Sequence, residues 1–253
     1  MRPICTIPVV ATVLLTGLSF SFNGNKKSGE KIIAEKAFAV VELFTSEGCS
    51  SCPPADELAI KLSKEYTANV YFLSYHVDYW NYLGWKDKYS KADFTTRQRQ
   101  YTAAFNLNSI YTPQAVVNGK KEFVGSDQNR LKKAIMEELK EKSSIDLSVI
   151  AKSNNDSISV SYKTEVSDKW LLNIALVQLH AETPVKRGEN TGHYLKHINV
   201  VRDLQTITID QKAENIIKFK IPDGLLSNEM KVVAFMHDKT NLKILSVSEA
   251  IIQ

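Results

Sequence analysis

Residues 39–54 of this chain read AVVELFTSEGCSSCPP and hold two cysteines three positions apart. The apolar run before them, 39–44, is typical of a strand, and the run after them, 55–66, is typical of a helix. A Cys-x-x-Cys pair between a strand and a helix predicts a redox site, because the unpaired N–H groups and the positive dipole at a helix N-terminus stabilise a thiolate. The spacing lets Cys52 reach Cys49 and close an internal disulfide.

The N-terminal residues have the layout of a secretory signal peptide. Arg2 precedes an apolar run over 4–20 that ends in small and polar residues, and this predicts cleavage after residue 21. The run is short for a spanning helix, which needs about 20 apolar residues, although an uncleaved anchor is the alternative. Residues 22–37 are rich in Lys, Gly and Ser, and we interpret them as a linker. We therefore expect an exported, periplasmic or secreted chain with no membrane contact once residues 1–21 are removed.

Composition narrows the classes of partner and of cysteine chemistry. The chain has 253 residues, of which 32 are basic and 28 are acidic. It has no long basic stretch with interleaved aromatic residues, so nucleic acid is not an expected partner. With Cys5 removed in the signal peptide, Cys49 and Cys52 are the only cysteines of the mature chain. A disulfide between Cys49 and Cys52 would close a very short loop and would therefore stabilise the fold only slightly. This favours a redox role for the pair over a structural role.

The order of elements after the cysteines predicts an α/β domain. Strand, helix, strand implies a parallel pair with a right-handed crossover. The further predicted elements are a strand at 70–76, a helix at about 90–105, strands at 115–117 and 121–124 around an Asn-Gly turn, and a helix capped by residue 126 or 127. This order, βαβ, helical insert, ββα, predicts a thioredoxin-like fold over residues 38–143, with the insert at 77–110.

The pattern changes after residue 142, where short β-type runs separated by polar turns replace the helices. The predicted strands are 145–150, 157–163, 171–179, 198–201, 216–221, 231–236 and 244–251. About seven strands in so short a segment are typical of a small antiparallel β-sandwich. We therefore place a domain boundary near residues 142–144 and a β-rich domain at 144–253.

Two elements are predicted to carry the chemistry directly. Cys49 lies nearer the helix start and solvent, so it is the candidate attacking thiol, and Cys52 is the candidate resolving thiol. Thr112-Pro113 directly precedes the third strand of the predicted domain. A thioredoxin-like site has a cis-proline there, facing the disulfide and leaving the preceding backbone free to pair with an extended substrate. An ordinary trans proline at a strand start is the alternative.

His76 and Asp78 end the second parallel strand, at the edge of the sheet where sites gather. A nearby imidazolium would lower the pKa of Cys49, with Asp78 orienting the His76 ring. Alternatively, His76 and the two thiolates would form a soft site for copper or zinc. A structural His–Asp hydrogen bond is the third interpretation.

Other polar and aromatic residues are weaker candidates. Glu42, in an apolar strand, would accept the proton of Cys52 if it faced the core, although strand alternation could equally turn it outward. Four aromatic residues are candidates for a substrate groove or for local core, namely Tyr79, Trp80, Tyr82 and Trp85. Arg97 and Arg99 are predicted to be solvated. The polar run 187–192, with His193, His197 and Arg202 beyond it, is interpreted as a docking loop, a ligand site or a long turn.

Several separate motifs resemble one known family. They are VELFTSEGCSSCPPAD at 41–56, HVDYW at 76–80, LGW at 83–85, YTPQ at 111–114, RGEN at 187–190 and NVVR at 199–202. The chain resembles the exported thioredoxin-related proteins grouped as domain of unknown function 1223. The resemblance implies a bacterial secreted protein with a thioredoxin-like domain and an appended β domain, and it implies no substrate. Gly48 stands where thioredoxin has a tryptophan, and Ser50-Ser51 replaces Gly-Pro, so a reductase, an oxidase and an isomerase all remain possible.

The functional expectation is an exported thiol–disulfide oxidoreductase that acts on protein thiols or disulfides. It needs no organic cofactor beyond the Cys49–Cys52 pair, and its electrons come from a partner protein. The first alternative is a copper- or zinc-binding or delivery protein that uses the same cysteines and His76. The second is a non-catalytic secreted binding module whose work is done by residues 187–202.

Overall fold

The computed structural model describes residue 1 and residues 36–165, 167–209 and 216–253. The described residues from 36 onward belong to one compact unit. Residues 2–21 of the predicted signal peptide and residues 22–35 of the predicted linker lie outside the described residues. Within the described ranges, no helix is long and apolar enough to cross a membrane.

The chain is a mixed α/β protein made mostly of strands. Its helices are α1 (Pro53–Glu65), α2 (Ala92–Ala104) and α3 (Gln128–Glu138). Its first six strands are β1 (Lys36–Ala37), β2 (Ala39–Thr45), β3 (Val70–His76), β4 (Gln114–Val117), β5 (Lys121–Val124) and β6 (Lys142–Ser143). The later strands are β7 (Leu147–Asn154), β8 (Ser157–Thr164), β9 (Trp170–Pro184), β10 (Tyr194–Thr208), β11 (Ile216–Lys220), β12 (Met230–Asp238) and β13 (Ile244–Ile251).

The helices begin where the local sequence favours a start. Pro53 and Pro54 occupy the first positions of α1, where an N–H group would have no intrahelical partner. Leu58 and Leu62, four residues apart, give α1 its buried face. Asp127 caps α3, since its side chain accepts a hydrogen bond of 3.0 Å from a backbone N–H in the first turn.

Eight strands form the central sheet in the order β13–β12–β9–β10–β3–β2–β4–β5. β2 and β3 run parallel in a register that pairs Thr45 with His76. β10 also runs parallel to β3, pairing Val200 with Ser74, whose hydroxyl donates to the Ile198 carbonyl at 2.8 Å. The predicted crossover from β2 through α1 to β3 is therefore confirmed, and β3 lies between two parallel neighbours.

This sheet joins the two segments that the sequence analysis treats as separate domains. All seven predicted runs after residue 144 form strands, β7 to β13, but four of them extend the sheet begun by β2 to β5. The central sheet does not end at the predicted domain boundary near residues 142–144. The strand at that boundary, β6, pairs with β1 in a separate two-stranded sheet. The physical reason is visible in β10: Val200 and Val201 are both fully buried, so this strand has apolar neighbours on both faces and lies inside the sheet.

The two faces of β2 serve different cores. Val41 and Leu43 pack with the buried faces of α1 and α3, whereas Val40 and Phe44 pack with residues of α2 on the other face. A second sheet, in the order β11–β8–β7, shares a further core with β9 and β12. Cys49 and Cys52 lie between β2 and α1. The side chains of β2 that face α1 are therefore those of Val41 and Leu43.

Candidate dithiol site

The two cysteines lie where the chain leaves β2 and enters α1. Cys52 is the residue before the helix and already has helical dihedral angles, φ −78° and ψ −37°. Both thiols are free, with Cys49 1% exposed and Cys52 0% exposed. The structure therefore places a free dithiol at the helix N-terminus with both thiols buried, so the predicted position of Cys49 near solvent is not found.

The two thiols have opposite electrostatic environments. A hydrogen bond from Cys52 lowers the pKa of Cys49 from 9.0 to about 6, although burial opposes this shift. Ser51 assists, since its hydroxyl oxygen lies 3.3 Å from Cys49 Sγ. Burial and the neighbouring Cys49 raise the pKa of Cys52 well above 9.0. A thiolate beside a neutral thiol is the arrangement needed for one attacking and one resolving group.

Thr112 and Pro113 lie beside the first thiol, as predicted. The peptide bond between them is cis. The Thr112 carbonyl oxygen lies 3.8 Å from Cys49 Sγ and accepts a hydrogen bond from Ser51 Oγ at 3.4 Å. Trp80 Nε1 donates to Thr112 Oγ1 at 2.8 Å, which ties the segment before β4 to the segment after β3.

Three of the four predicted aromatic candidates lie next to the site. Trp80 and Trp85 contact residues just before Cys49, and Tyr79 interacts with Thr112. Trp80 packs on Gly48, where an added Cβ would lie 3.0 Å from the Trp80 Cβ. A larger residue at position 48 would therefore require Trp80 to shift by a few tenths of an ångström. Trp85 Nε1 donates to Glu47 Oε2 at 2.7 Å. Tyr82, by contrast, is 79% exposed.

A loop from the second half of the chain covers the cysteines. Glu189 accepts a hydrogen bond of 3.0 Å from the Ser50 N–H. Asn190 is 3% exposed and donates to the carbonyls of Glu47 and Cys49 at 2.8 and 3.0 Å. Gly188 has φ +78°, and a Cβ there would lie 3.1 Å from the Trp85 Cβ, so the close approach favours glycine. Of the three interpretations of residues 187–192, the docking loop is confirmed.

Replacing Asn190 with alanine is expected to loosen this loop. The change leaves the buried Glu47 carbonyl without a donor and removes one of the two hydrogen bonds to the Cys49 carbonyl. This loss destabilises the fold by about 1–3 kcal/mol, and it exposes Cys49 to alkylation. Urea unfolding and the rate of iodoacetamide reaction at Cys49 measure the two effects. His193→Ala, at an exposed position of the same loop, is the matched control and should change stability by less than about 0.5 kcal/mol. Unchanged stability and alkylation in Asn190→Ala would contradict the described contacts.

Beneath the dithiol, His197 of β10 lies between two buried carboxylates. Its Nε2 atom is 3.6 Å from Glu47 Oε1, and its Nδ1 atom is 3.6 Å from Asp56 Oδ1. Burial opposes a charged imidazole, but the carboxylates of Asp56 and Glu47 prevail and raise the pKa of His197 to about 10. At neutral pH the group is therefore an imidazolium between two carboxylates.

The structure corrects the predicted partner of His76. The carboxylate that binds it is Asp87, whose Oδ2 lies 2.6 Å from His76 Nδ1. Burial opposes ionisation of Asp87, but the charge of His76 lowers its pKa overall. Asp78 instead accepts a hydrogen bond of 2.6 Å from Thr95 Oγ1. The chain turns after β3, so the side chain two residues beyond His76 points to α2 and not to the imidazole.

The predicted metal-ligand set is not assembled. His76 is bound by Asp87, and its ring lies edge-on to His197 with centroids 4.6 Å apart. Among the residues that the structure describes, no three His, Cys, Asp or Glu side chains are arranged to hold a metal ion. Nothing in this geometry brings His76 together with Cys49 and Cys52.

The predicted role of Glu42 is also corrected. Glu42 shares a face of β2 with Val40 and Phe44, opposite to α1, and so does not serve Cys52. It accepts hydrogen bonds from Arg97 Nε and Nη2 at 2.5 and 2.9 Å, and another from the Tyr101 hydroxyl. The prediction of a solvated Arg97 is therefore wrong, because Arg97 lies on the buried face of α2, where it pairs with Glu42 of β2. Arg99 is exposed, as predicted.

Sequence reasoning missed three buried ionisable residues near the dithiol, Glu47, Asp56 and Asp87, and it named His197 only as part of the polar run beyond residue 192. Of these residues, Asp56 could have been found from its spacing in the sequence. Asp56 follows Cys52 by four residues in the predicted helix, and residues so spaced share a helix face. No such pattern exists for His197, which reaches the site only because β10 pairs with β3.

Comparison with known proteins agrees with this architecture. A family model described as "Protein of unknown function (DUF1223)" matches residues 40–237. The crystal structure of a protein from Agrobacterium tumefaciens is similar, with 29% identity, a TM-score of 0.61, and coverage of 85% of this chain and 95% of that chain. A domain of the outer membrane lipoprotein Omp28 from Porphyromonas gingivalis aligns over 43% of this chain and 88% of its own length. Its identity of 14% and TM-score of 0.25 are too low to indicate a shared fold. No curated protein matches the chain.

Proposed function

The chain belongs to the family described as protein of unknown function (DUF1223), and we propose that it is a thiol–disulfide oxidoreductase acting on protein thiols or disulfides. The observation that carries the proposal is the paired environment of the cysteines. Cys49 is favoured as a thiolate next to a neutral, fully buried Cys52 at the start of α1. This asymmetry is needed for directional exchange, because only the thiolate attacks a disulfide.

In the proposed reaction, the Cys49 thiolate attacks one sulfur of a substrate disulfide. A bond forms between Cys49 and that sulfur, and the other substrate sulfur leaves as a thiolate that takes up a proton. Cys52 then loses its proton and attacks Cys49 Sγ, so that the Cys49–Cys52 disulfide forms and the second substrate thiol leaves. Thr112 and Pro113, beside Cys49, position the substrate backbone. The electron pair on the dithiol is restored by a partner protein, and the reverse sequence oxidises a substrate.

The order β2–α1–β3 followed by β4–β5 and α3 supports a thioredoxin-like arrangement for this part of the sheet. We also propose that the protein is exported, as the predicted signal peptide at residues 1–21 indicates. An exported dithiol protein meets a compartment in which disulfides persist. The proposal therefore includes both directions of exchange, and the reduction potential decides between them.

The reduction potential of the Cys49–Cys52 pair tests this function. Lowering the pKa of Cys49 stabilises the reduced form, so we expect a potential less negative than the roughly −270 mV of thioredoxin and more negative than the roughly −120 mV of the strong periplasmic oxidant. Equilibration in graded glutathione and dithiothreitol buffers, under metal-free conditions, measures it. A pair that never equilibrates contradicts the proposal and supports the binding-module alternative. A pair that equilibrates only after a metal is stripped supports the metal-binding alternative.

A further inference from the structure

The small sheet of β11, β8 and β7 has one face in the core and one face open to solvent. Alternate residues of these strands point inward, where Val149, Val160 and Phe219 pack in the core shared with β9 and β12. The residues between them point outward and are exposed or half-buried. The dithiol lies elsewhere, between β2 and α1, so the proposed function does not use this outer face.

Three isoleucines lie side by side on the outer face. Ile150 of β7 and Ile216 of β11 pair with the same residue of β8, from its two sides. A parallel bridge between Ala151 and Ile252, both buried, sets the C-terminal end beside β7, so Ile251 lies next to Ile150 on the exposed side. The three side chains, named here the isoleucine row, are between 53% and 66% exposed. Single exposed apolar residues are ordinary, but three in one row indicate a binding surface.

Lysines flank the isoleucine row on both sides. One step along the strands, Lys152 and Lys218 lie on either side of one β8 residue, and Lys220 follows on β11. Lys163 lies one step in the other direction. Lys220 forms an ion pair with Asp223 at 3.4 Å, whereas the other three lysines have no ion pair among the residues that the structure describes. The sequences of β7, β8 and β11 contain no Asp or Glu.

The carboxylates around this face lie at its margins. Asp146 and Glu165 adjoin the ends of β7 and β8, and Asp156 lies in the turn between these strands. Glu249 of the neighbouring β13 is bound to Lys231 at 2.7 Å. The chain as a whole is nearly balanced, with 32 basic and 28 acidic residues. Positive charge is therefore concentrated on the outer face itself, around the isoleucine row.

The composition of this face favours a lipid surface over other partners. Protein interfaces are enriched in aromatic residues and Arg and depleted in Lys and Ser, whereas the outward residues of the three strands are Lys, Ser, Ile and Asn. No aromatic side chain points outward from them to stack on nucleic-acid bases. A second copy of the chain would set one positively charged face against another. Lysines beside exposed apolar side chains are typical of proteins that lie on anionic membranes.

We propose that the outer face of the β11–β8–β7 sheet binds reversibly to the surface of an anionic phospholipid bilayer. The isoleucine row reaches the boundary of the acyl chains, and the four lysines lie at the headgroup phosphates. Apolar burial and charge attraction both contribute, and salt weakens the second. This inference differs from the sequence expectation of no membrane contact after removal of residues 1–21. It does not depend on the proposed dithiol exchange, because neither cysteine lies on this face.

Sedimentation with lipid vesicles tests the inference on the chain that begins at residue 22. This chain keeps every described helix and strand, and it lacks the apolar run 4–20, which could bind lipid by itself. We expect binding to vesicles of phosphatidylglycerol and phosphatidylcholine in a ratio of about 3:7, and no binding to phosphatidylcholine alone. Raising the salt to about 0.5 M should release most of the bound protein.

Lys152→Gln combined with Lys218→Gln should weaken binding to the anionic vesicles about thirtyfold, as expected when two lysines leave an anionic surface. Lys64→Gln combined with Lys133→Gln is the matched control. It removes the same charge at exposed positions of α1 and α3 and should bind like the wild type. A lysine variant that binds as well as this control would overturn the inference, as would equal binding of the wild type to both kinds of vesicle.

Ile150→Ser combined with Ile216→Ser should weaken binding about tenfold, because less apolar area is buried at the membrane. Both side chains point away from the core, so the midpoint of urea unfolding should not change. An isoleucine variant that binds like the wild type would overturn the inference. Binding of the wild type to polyglutamate and not to the vesicles would also overturn it and would indicate an acidic protein partner. Dithiol exchange should be unchanged in all of these variants, so a failure of this inference is distinguishable from a failure of the dithiol function.

Discussion

Cys49→Ser is expected to lower dithiol exchange to the rate of the buffer alone. Serine is not ionised near neutral pH, so the variant lacks the thiolate that starts the reaction. Insulin reduction by dithiothreitol, or refolding of a reduced disulfide protein, measures the loss. Ser50→Ala, at the exposed position between the two cysteines, is the matched control and should retain activity. Full activity in Cys49→Ser would show that Cys52 or another group is the nucleophile.

Cys52→Ser is expected to stop the reaction after the first attack. The first attack still occurs, but the mixed disulfide with the substrate has no resolving thiol and accumulates. Acid trapping followed by non-reducing electrophoresis or mass spectrometry detects this species. Because burial raises the pKa of Cys52, it is a poor nucleophile until Cys49 is engaged. A Cys52→Ser variant that turns over without a trapped adduct would therefore contradict the assignment of roles.

Local sequence pattern was enough to predict the position of the dithiol and the segment that contacts Cys49. The strand–cysteine–helix order predicted where the dithiol lies, and Thr112-Pro113 was correctly placed beside it. These features depend on residues close in sequence or on a fixed order of elements. The strands after residue 144 were also found from alternation, although β9 and β10 are both longer than predicted.

Pairing between distant strands was not predictable in the same way. Nothing in residues 194–208 indicates that β10 pairs with β3, yet this pairing brings His197 and the covering loop to the cysteines. His76 shows the same limit at short range, since the nearest acid in sequence, Asp78, is directed elsewhere by Thr95. A segment interpreted as a separate β-rich domain thus supplies one wall of the site. Removal of residues 144–253 would take away both that wall and half of the central sheet.

Glu42→Gln is expected to destabilise the fold by about 3–5 kcal/mol, as is typical when one partner of a buried ion pair is removed. Glu42 is 0% exposed and Arg97 is 6% exposed, so the guanidinium would lose its counter-charge with little water to replace it. The free energy of unfolding in urea measures this loss. Glu137→Gln is the matched control, because its pair with Lys121 lies near the surface and should change the free energy of unfolding much less than Glu42→Gln does.

A double variant tests whether the loss of stability comes from the unpaired buried charge or from altered packing. Glu42→Leu combined with Arg97→Met removes both buried charges, and it should recover most of the stability that Glu42→Gln loses. Both variants should keep normal dithiol exchange, because Glu42 lies on the face of β2 opposite to α1. Normal stability in Glu42→Gln would show that the Glu42–Arg97 pair is not buried as described. Loss of dithiol exchange in the folded Glu42→Gln variant would instead support the predicted role of Glu42 as the proton acceptor of Cys52.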